Sequence, residues 1–210
     1  MTDELPIKSG SLRIGDPAPD FEARTTRGPV RLSDYRGRWL VFFSHPADFT
    51  PVCTTEFVAL ARHQDRFEAM DCALLGLSVD SLYAHLAWVR AIEDRFDVKI
   101  NFPIVEDPSM AVGHAFGMID ENAADSAAMR TSYFIDPQGT IRATTCYPHN
   151  VGRSVDEMLR LLAALQLADR QDVLIPEGWQ PGDDVLEIPP LSAENISRED
   201  DWFCHMVKAR

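Results

Sequence analysis

Two uninterrupted apolar runs, Trp39–Ser44 and Ala73–Val79, constrain this chain more than any other feature. Neither alternates polar with apolar residues, so each reads as a strand buried on both faces. Between them Phe57, Leu60, Ala61, Gln64 and Phe67 recur at helical spacing, with Gln64 the polar exception. Two buried strands joined through a helix predict a parallel pairing, with helices covering the sheet.

The flanking segments extend this unit. Phe21–Arg24 and Val30–Leu32 read as short strands around the turn Arg27-Gly28-Pro29. Leu82, Leu86, Val89, Ile92 and Phe96 form a second helical stripe, and Asn101–Val105 is strand-like but interrupted by Pro103. Ser109–Phe116 is a short helix. Thr131–Ile135 and Thr140–Cys146 flank Asp136-Pro137-Gln138-Gly139, a strong hairpin turn. Ser154-x-x-Glu157 is a capping box that opens a helix running to about Leu167. The order is strand, helix, strand, helix, strand, helix, hairpin, helix. It predicts an α/β fold: a mixed sheet flanked by helices, parallel early and antiparallel at the hairpin. A thioredoxin-like fold fits.

After Leu167 the composition changes. Ile175–Leu191 is proline-rich and acidic, which suits an extended arm rather than a packed helix. The arm ends in Asp201-Trp202-Phe203-Cys204, an apolar cluster that would be out of place in water. The expected organisation is therefore a thioredoxin-like domain over 1–167 and a C-terminal arm over 168–210. The arm docks either on its own domain or on a partner subunit as a dimerisation element.

The net charge of −13 argues against nucleic acid or an anionic membrane as partner, since both need basic surface. Met1–Gly10 lacks the basic start and apolar stretch of a signal peptide, and no apolar run is long enough to span a bilayer. A cytoplasmic location is the default expectation. There thiols stay reduced unless they do chemistry, so Cys53, Cys72, Cys146 and Cys204 are each a free thiol, a catalytic thiol or half of a transient disulfide. None forms C-x-x-C or a zinc-ribbon spacing, which disfavours a dithiol reductase. His63, His85, His114, His149 and His205 are isolated and show no ligand spacing, so no metal is expected.

Cys53 stands apart. A thiol is a weak nucleophile until it ionises, and an ordinary pKa of about 8.5 leaves only a few per cent thiolate at neutral pH. Thr50 is a good N-cap and Pro51 falls at the favoured first helical position, which puts Cys53 in a first turn where unpaired N–H groups favour an anion. The Thr50 hydroxyl, three residues away, is placed to bond the thiolate or an incoming substrate atom. Glu56 lies one turn beyond and opposes ionisation unless an arginine neutralises it. Local sequence offers none nearer than Arg62, so that cation must come from elsewhere in the fold. Cys72 starts a buried strand and Cys146 ends one, so burial is expected for both.

The segment His45-Pro-Ala-Asp-Phe-Thr-Pro-Val-Cys-Thr-Thr-Glu56 resembles the peroxiredoxin signature P-x-x-x-T-x-x-C, beginning at Pro46. The histidine before that proline and the Thr-Thr-Glu after the cysteine resemble the one-Cys-like subfamily. Leu77–Ser81 with His85 and Trp88 resembles that family too. So do Arg130 ahead of Phe-Ile-Asp-Pro137, and Tyr147-Pro148 through Gly152-Arg153 and Asp156-Glu157. Trp202-Phe203-Cys204 is similar to the C-terminal arm of archaeal and bacterial members. The likeness covers roughly residues 10 to 208.

The resemblance implies a thiol peroxidase that needs no cofactor. Cys53 would attack a hydroperoxide and become a sulfenic acid, with an external thiol reductant such as thioredoxin restoring it. Thr50 and Arg130 would hold the peroxide, Pro46 would shield the thiolate, and His45 would bond the sulfur or the peroxide or serve only the loop. Glu56 and Arg153 would support Arg130 from behind. Cys204 matches a position that can act as resolving thiol, although relatives carry a further cysteine shortly after it that this sequence lacks. The resemblance also implies a homodimer, or dimers assembled into a decamer. A peroxide sensor or holdase on the same scaffold is the alternative. A lipase activity is disfavoured, because Gly76-Leu-Ser78-Val-Asp80 lacks the last glycine of a nucleophile elbow.

Overall fold

The computed structural model describes residues 12–119, 125–192 and 202–209. The expectation placed on Met1–Gly10 lies outside them, as does Asp201. The described residues form two compact units, divided between Val155 and Asp156.

The first unit is built on β1 (Glu22–Thr25), β2 (Gly28–Arg31), β3 (Trp39–Ser44), β4 (Cys72–Ser78), β5 (Ile104–Glu106), β6 (Arg130–Ile135) and β7 (Ile141–Tyr147). They form one sheet in the order β2-β1-β5-β4-β3-β6-β7. The pairs β3–β4 and β4–β5 are parallel, and every other neighbouring pair is antiparallel. The apolar runs thus occupy the middle, and all six residues of β3 are buried. The helices are α1 (Pro51–Arg62), α2 (Gln64–Ala69), α3 (Leu82–Phe96) and α4 (Ala111–Ala115). Phe21, Phe42, Phe116 and Tyr133 stack through one core cluster, ring against ring. This is the mixed, helix-flanked sheet of a thioredoxin-like fold.

Two local expectations are corrected. The stripe from Phe57 to Phe67 is two helices, because the chain leaves helical geometry at His63, whose ring bonds back to the Ala59 carbonyl at 2.8 Å. Phe67 stays in phase with the buried face, so periodicity alone cannot reveal the break. Cys146 is exposed rather than buried. It lies on β7, the edge strand, whose residues point alternately inward and out.

The second unit opens with α5, which runs Val155–Gln171, past the expected end near Leu167. The chain then returns through β8 (Val185–Leu186), paired antiparallel with β9 (Met206–Val207). Trp179 and Val185 pack with Ala164 and Leu167 of α5, so the proline-rich segment lies on a helix of its own unit. The Trp202 and Phe203 rings meet edge to face at 5.7 Å, and Phe203 is 65% exposed. Among the described residues no helix is long and apolar enough to cross a membrane.

Candidate active site

The site forms where the end of β3 meets the start of β6. Antiparallel pairing sets Phe43 opposite Ser132. One residue further along, the Ser44 hydroxyl donates to the Met129 carbonyl at 2.5 Å and accepts from the Thr131 N–H at 3.4 Å. Arg130 is therefore fixed beside the loop that leaves β3 and enters α1. That loop carries His45, Pro46, Asp48 and Thr50, and Cys53 follows in the first helical turn.

Cys53 is wholly buried. Its sulfur accepts a hydrogen bond from Arg130 Nη1 at 3.3 Å. The same nitrogen donates to Glu56 Oε2 at 2.8 Å, while Arg130 Nε and Nη2 donate to the His149 carbonyl at 3.0 and 2.8 Å. Glu56 also takes three bonds from Arg153: its N–H and Nε reach Oε1 at 2.7 and 2.9 Å, and Nη2 reaches Oε2 at 2.9 Å. Arg153 Nη1 continues to the Thr131 carbonyl and the Ser132 hydroxyl, and its guanidinium lies over the Phe43 ring at 5.2 Å. Burial pushes the Glu56 carboxyl up, but the Arg153 bonds and the two arginine charges outweigh it and hold it below its ordinary range. Two buried guanidinium charges thus face one carboxylate. One positive charge is left over, and it lies against the Cys53 sulfur.

Thr50 stands at the N-cap with extended backbone and Pro51 follows at the first position, but its side chain does not cap. The hydroxyl instead donates to the Ala47 carbonyl at 2.8 Å. Its proton is committed, so its lone pairs are what it offers to a ligand. Pro46 is buried in the same loop.

The His45 ring is wholly buried between Phe57, at 4.8 Å, and Trp88, at 5.2 Å. Its Nε2 bonds Asp48 Oδ1 at 2.8 Å, not the sulfur, and among the described residues its Nδ1 has no partner. Asp48 Oδ2 bonds His85 Nδ1 at 2.7 Å, and His85 Nε2 reaches the Val105 carbonyl at 3.2 Å. His85 is therefore not isolated, as its sequence spacing suggested. The three ligand atoms of His45, Asp48 and His85 lie within 4.8 Å of one another, close enough in principle to hold a metal ion. Their contacts, however, are the lengths of hydrogen bonds, which protons fill rather than a cation. Burial raises the Asp48 carboxyl, but its bonds to His45 and His85 prevail and lower it. Burial, the largest influence on His45, holds that ring below its ordinary value.

The local sequence disclosed Cys53, Thr50 and Glu56, and the family resemblance disclosed Arg130 and Arg153. Neither disclosed Asp48 or the Ser44 staple between β3 and β6. The signal available for Asp48 was its place inside the signature, three residues after His45. Cys204 belongs to the second unit and is exposed. Cys72 is buried, and desolvation pushes its thiol up to about 12.

Comparison with known proteins matches this architecture. The AhpC/TSA family model matches residues 14–144, and the C-terminal domain of 1-Cys peroxiredoxin matches residues 164–199. A peroxiredoxin of Methanosarcina mazei is 42% identical, across 93% of this chain and 97% of its own. Peroxiredoxin 2 of Caldanaerobacter subterraneus is 47% identical, across 89% and 84%. The solved yeast mitochondrial 1-Cys peroxiredoxin, studied for thiol resolution via glutathione/thioredoxin systems, superposes with a TM-score of 0.80 at 42% identity, covering 85% of this chain and 87% of that one. A cysteine-to-serine mutant of peroxiredoxin 6 from Arenicola marina gives 0.81 at 31% identity, covering 88% and 87%.

Proposed function

Since the chain belongs to the AhpC/TSA family and is a peroxiredoxin, we propose that Cys53 is the nucleophile that reduces hydrogen peroxide and organic hydroperoxides. The observation that carries this is the Arg130 contact to the Cys53 sulfur inside a buried cluster with one uncompensated positive charge.

In the proposed step the thiolate attacks one peroxide oxygen. The S–O bond forms as the O–O bond breaks, sulfur is oxidised to the sulfenic acid, and the distal oxygen leaves as hydroxide or alkoxide and takes a proton to become water or alcohol. Arg130, already donating to the sulfur, stabilises charge as it passes to the oxygens. Thr50, its own proton on Ala47, accepts from the peroxide O–H and orients it. Glu56 and Arg153 hold Arg130 in place, Pro46 keeps water from the sulfur, and His45 lines the same loop.

Two thiols of a reductant, thioredoxin or one of the same chemistry, supply the two electrons that return the sulfenic acid to the thiol, leaving the reductant as a disulfide and releasing water. The yeast relative's use of glutathione and thioredoxin systems supports this class. We propose Cys204 as the resolving candidate, acting between subunits of a homodimer, with residues 168–210 as the dimerisation element and a decamer as the higher assembly. A cytoplasmic location accords with that reductant.

Steady-state peroxide consumption with thioredoxin and its reductase, followed by mass spectrometry of the peroxide-treated protein, tests this reading. Turnover with a sulfenic or sulfinic Cys53 is expected. Modification confined to Cys72 or Cys146 would overturn it, and assembly changes without turnover would favour the sensor or holdase.

A further inference from the structure

The His45–Asp48–His85 cluster carries a proton count that the peroxidase reading does not use. The His85 ring is bonded on both sides, by Asp48 Oδ2 at its Nδ1 and by the Val105 carbonyl at its Nε2. Asp48 is held ionised by its hydrogen bonds and only accepts, so the proton between it and His85 sits on His85 Nδ1. The second Asp48 oxygen accepts from His45 Nε2, and His45, kept neutral by burial, has no proton left for Nδ1.

We propose that Asp48 and His85 are positioning residues for the peroxidase reaction: they hold the His45 ring with its proton on Nε2 and its Nδ1 bare. This rests on the reading of Cys53 as nucleophile and of His45 as part of the peroxide site. The orientation of the ring is set by Phe57, one turn after Cys53, and by Trp88, whose indole donates to the hydroxyl of Thr54 at 3.3 Å. Packing fixes the ring but not the position of its proton, and the Asp48 carboxylate supplies that choice. The Asp48 backbone N–H is itself pinned by Asp80 Oδ2 at 2.9 Å, which holds the carboxylate over both rings. Glu106 of β5 feels the charge of His85, and Arg153 acts on His45 from the Glu56 cluster. A bare acceptor buried without a partner is unfavourable, and the donor that would satisfy it is an incoming O–H.

Nitrogen-detected spectra of the histidine rings in the whole protein at neutral pH test this. His85 should carry a proton on Nδ1, and His45 should be protonated only on Nε2. In Asp48→Asn the amide oxygen should face His45 and the NH2 should face His85, so His85 loses its Nδ1 proton while His45 keeps its tautomer. Asp48→Ala leaves His45 Nε2 without a partner, and the rate of peroxide reaction should fall by about tenfold or more, with Asp48→Asn recovering most of it. A His45 protonated on Nδ1 in the unsubstituted protein overturns the proposal even where Asp48→Ala does not fold. So does an undiminished rate in Asp48→Ala, or stoichiometric zinc held by the three side chains. Cys53→Ser separates the two readings: if peroxide consumption survives it, the nucleophile assignment fails while the ring spectra stand unchanged.

Discussion

Arg130 Nη1 stands 3.3 Å from the Cys53 sulfur and 2.8 Å from Glu56 Oε2, so one guanidinium nitrogen joins the thiol to the carboxylate behind it. A lysine at this position cannot reproduce that. Its compact ammonium has no planar fork with which to reach the sulfur, the carboxylate and the His149 carbonyl together. Arg130→Lys should lower the second-order rate constant with hydrogen peroxide by about 10²–10³-fold, in the range seen when a donor to developing charge is removed. Rapid-mixing measurement of peroxide decay checks this, and a loss below threefold would argue that the cation is not used in the reaction.

Glu56 gives the site an acid limb. Burial raises its carboxyl, but the Arg153 bonds and the charges of Arg153 and Arg130 win, so its native value lies below the ordinary 4.5. A carboxyl depressed on folding contributes stability that is fully present above 4.5 and is lost as pH falls through the lower native value. In Glu56→Gln that acid dependence should flatten. Two buried arginines would then lose the carboxylate between them, and the variant should lose about 3–5 kcal/mol at neutral pH. Urea midpoints across the acid range measure both effects.

How much of this was legible depends on how local each feature is. The β3–α1–β4 unit follows from two apolar runs and a helical stripe, because burial on both faces leaves a direct imprint on composition. The start of α1 at Thr50-Pro51 follows from capping chemistry, yet the Thr50 hydroxyl bonds Ala47 rather than the helix, and only the traced loop reveals that. Glu56 read as unfavourable to a thiolate because its arginines lie far along the chain and reach it through the β3–β6 pairing. Cys146 read as buried because strand periodicity does not say which strand ends up at an edge. His85 read as isolated because its partners come from a loop that the sheet brings to it.

Three of the thiols should separate by reactivity. Cys72 is buried and its thiol is pushed to about 12 by desolvation, so almost none of it is thiolate at neutral pH. Cys146 and Cys204 are exposed. Brief treatment of the native protein with iodoacetamide should label Cys146 and Cys204, and leave Cys72 untouched until denaturant is added. Peptide mass spectrometry gives the pattern directly. Early labelling of Cys72 would mean that β4 opens far more readily than its burial implies.

The exposed pair also sets the test of resolution. Cys53 is wholly buried, so any disulfide to it requires the start of α1 to open locally after oxidation. Cys204, exposed beside Trp202 and Phe203, is the thiol that the arm presents, but Cys146 is exposed as well and must be excluded. One equivalent of hydrogen peroxide without reductant should give a covalent dimer on non-reducing electrophoresis. Cys204→Ser should give none, and its Cys53 should instead advance from sulfenic to sulfinic acid under excess peroxide. Cys146→Ser should dimerise like the unsubstituted protein. If dimer persists in Cys204→Ser and disappears in Cys146→Ser, the resolving thiol lies on the edge strand β7, and the arm serves assembly alone.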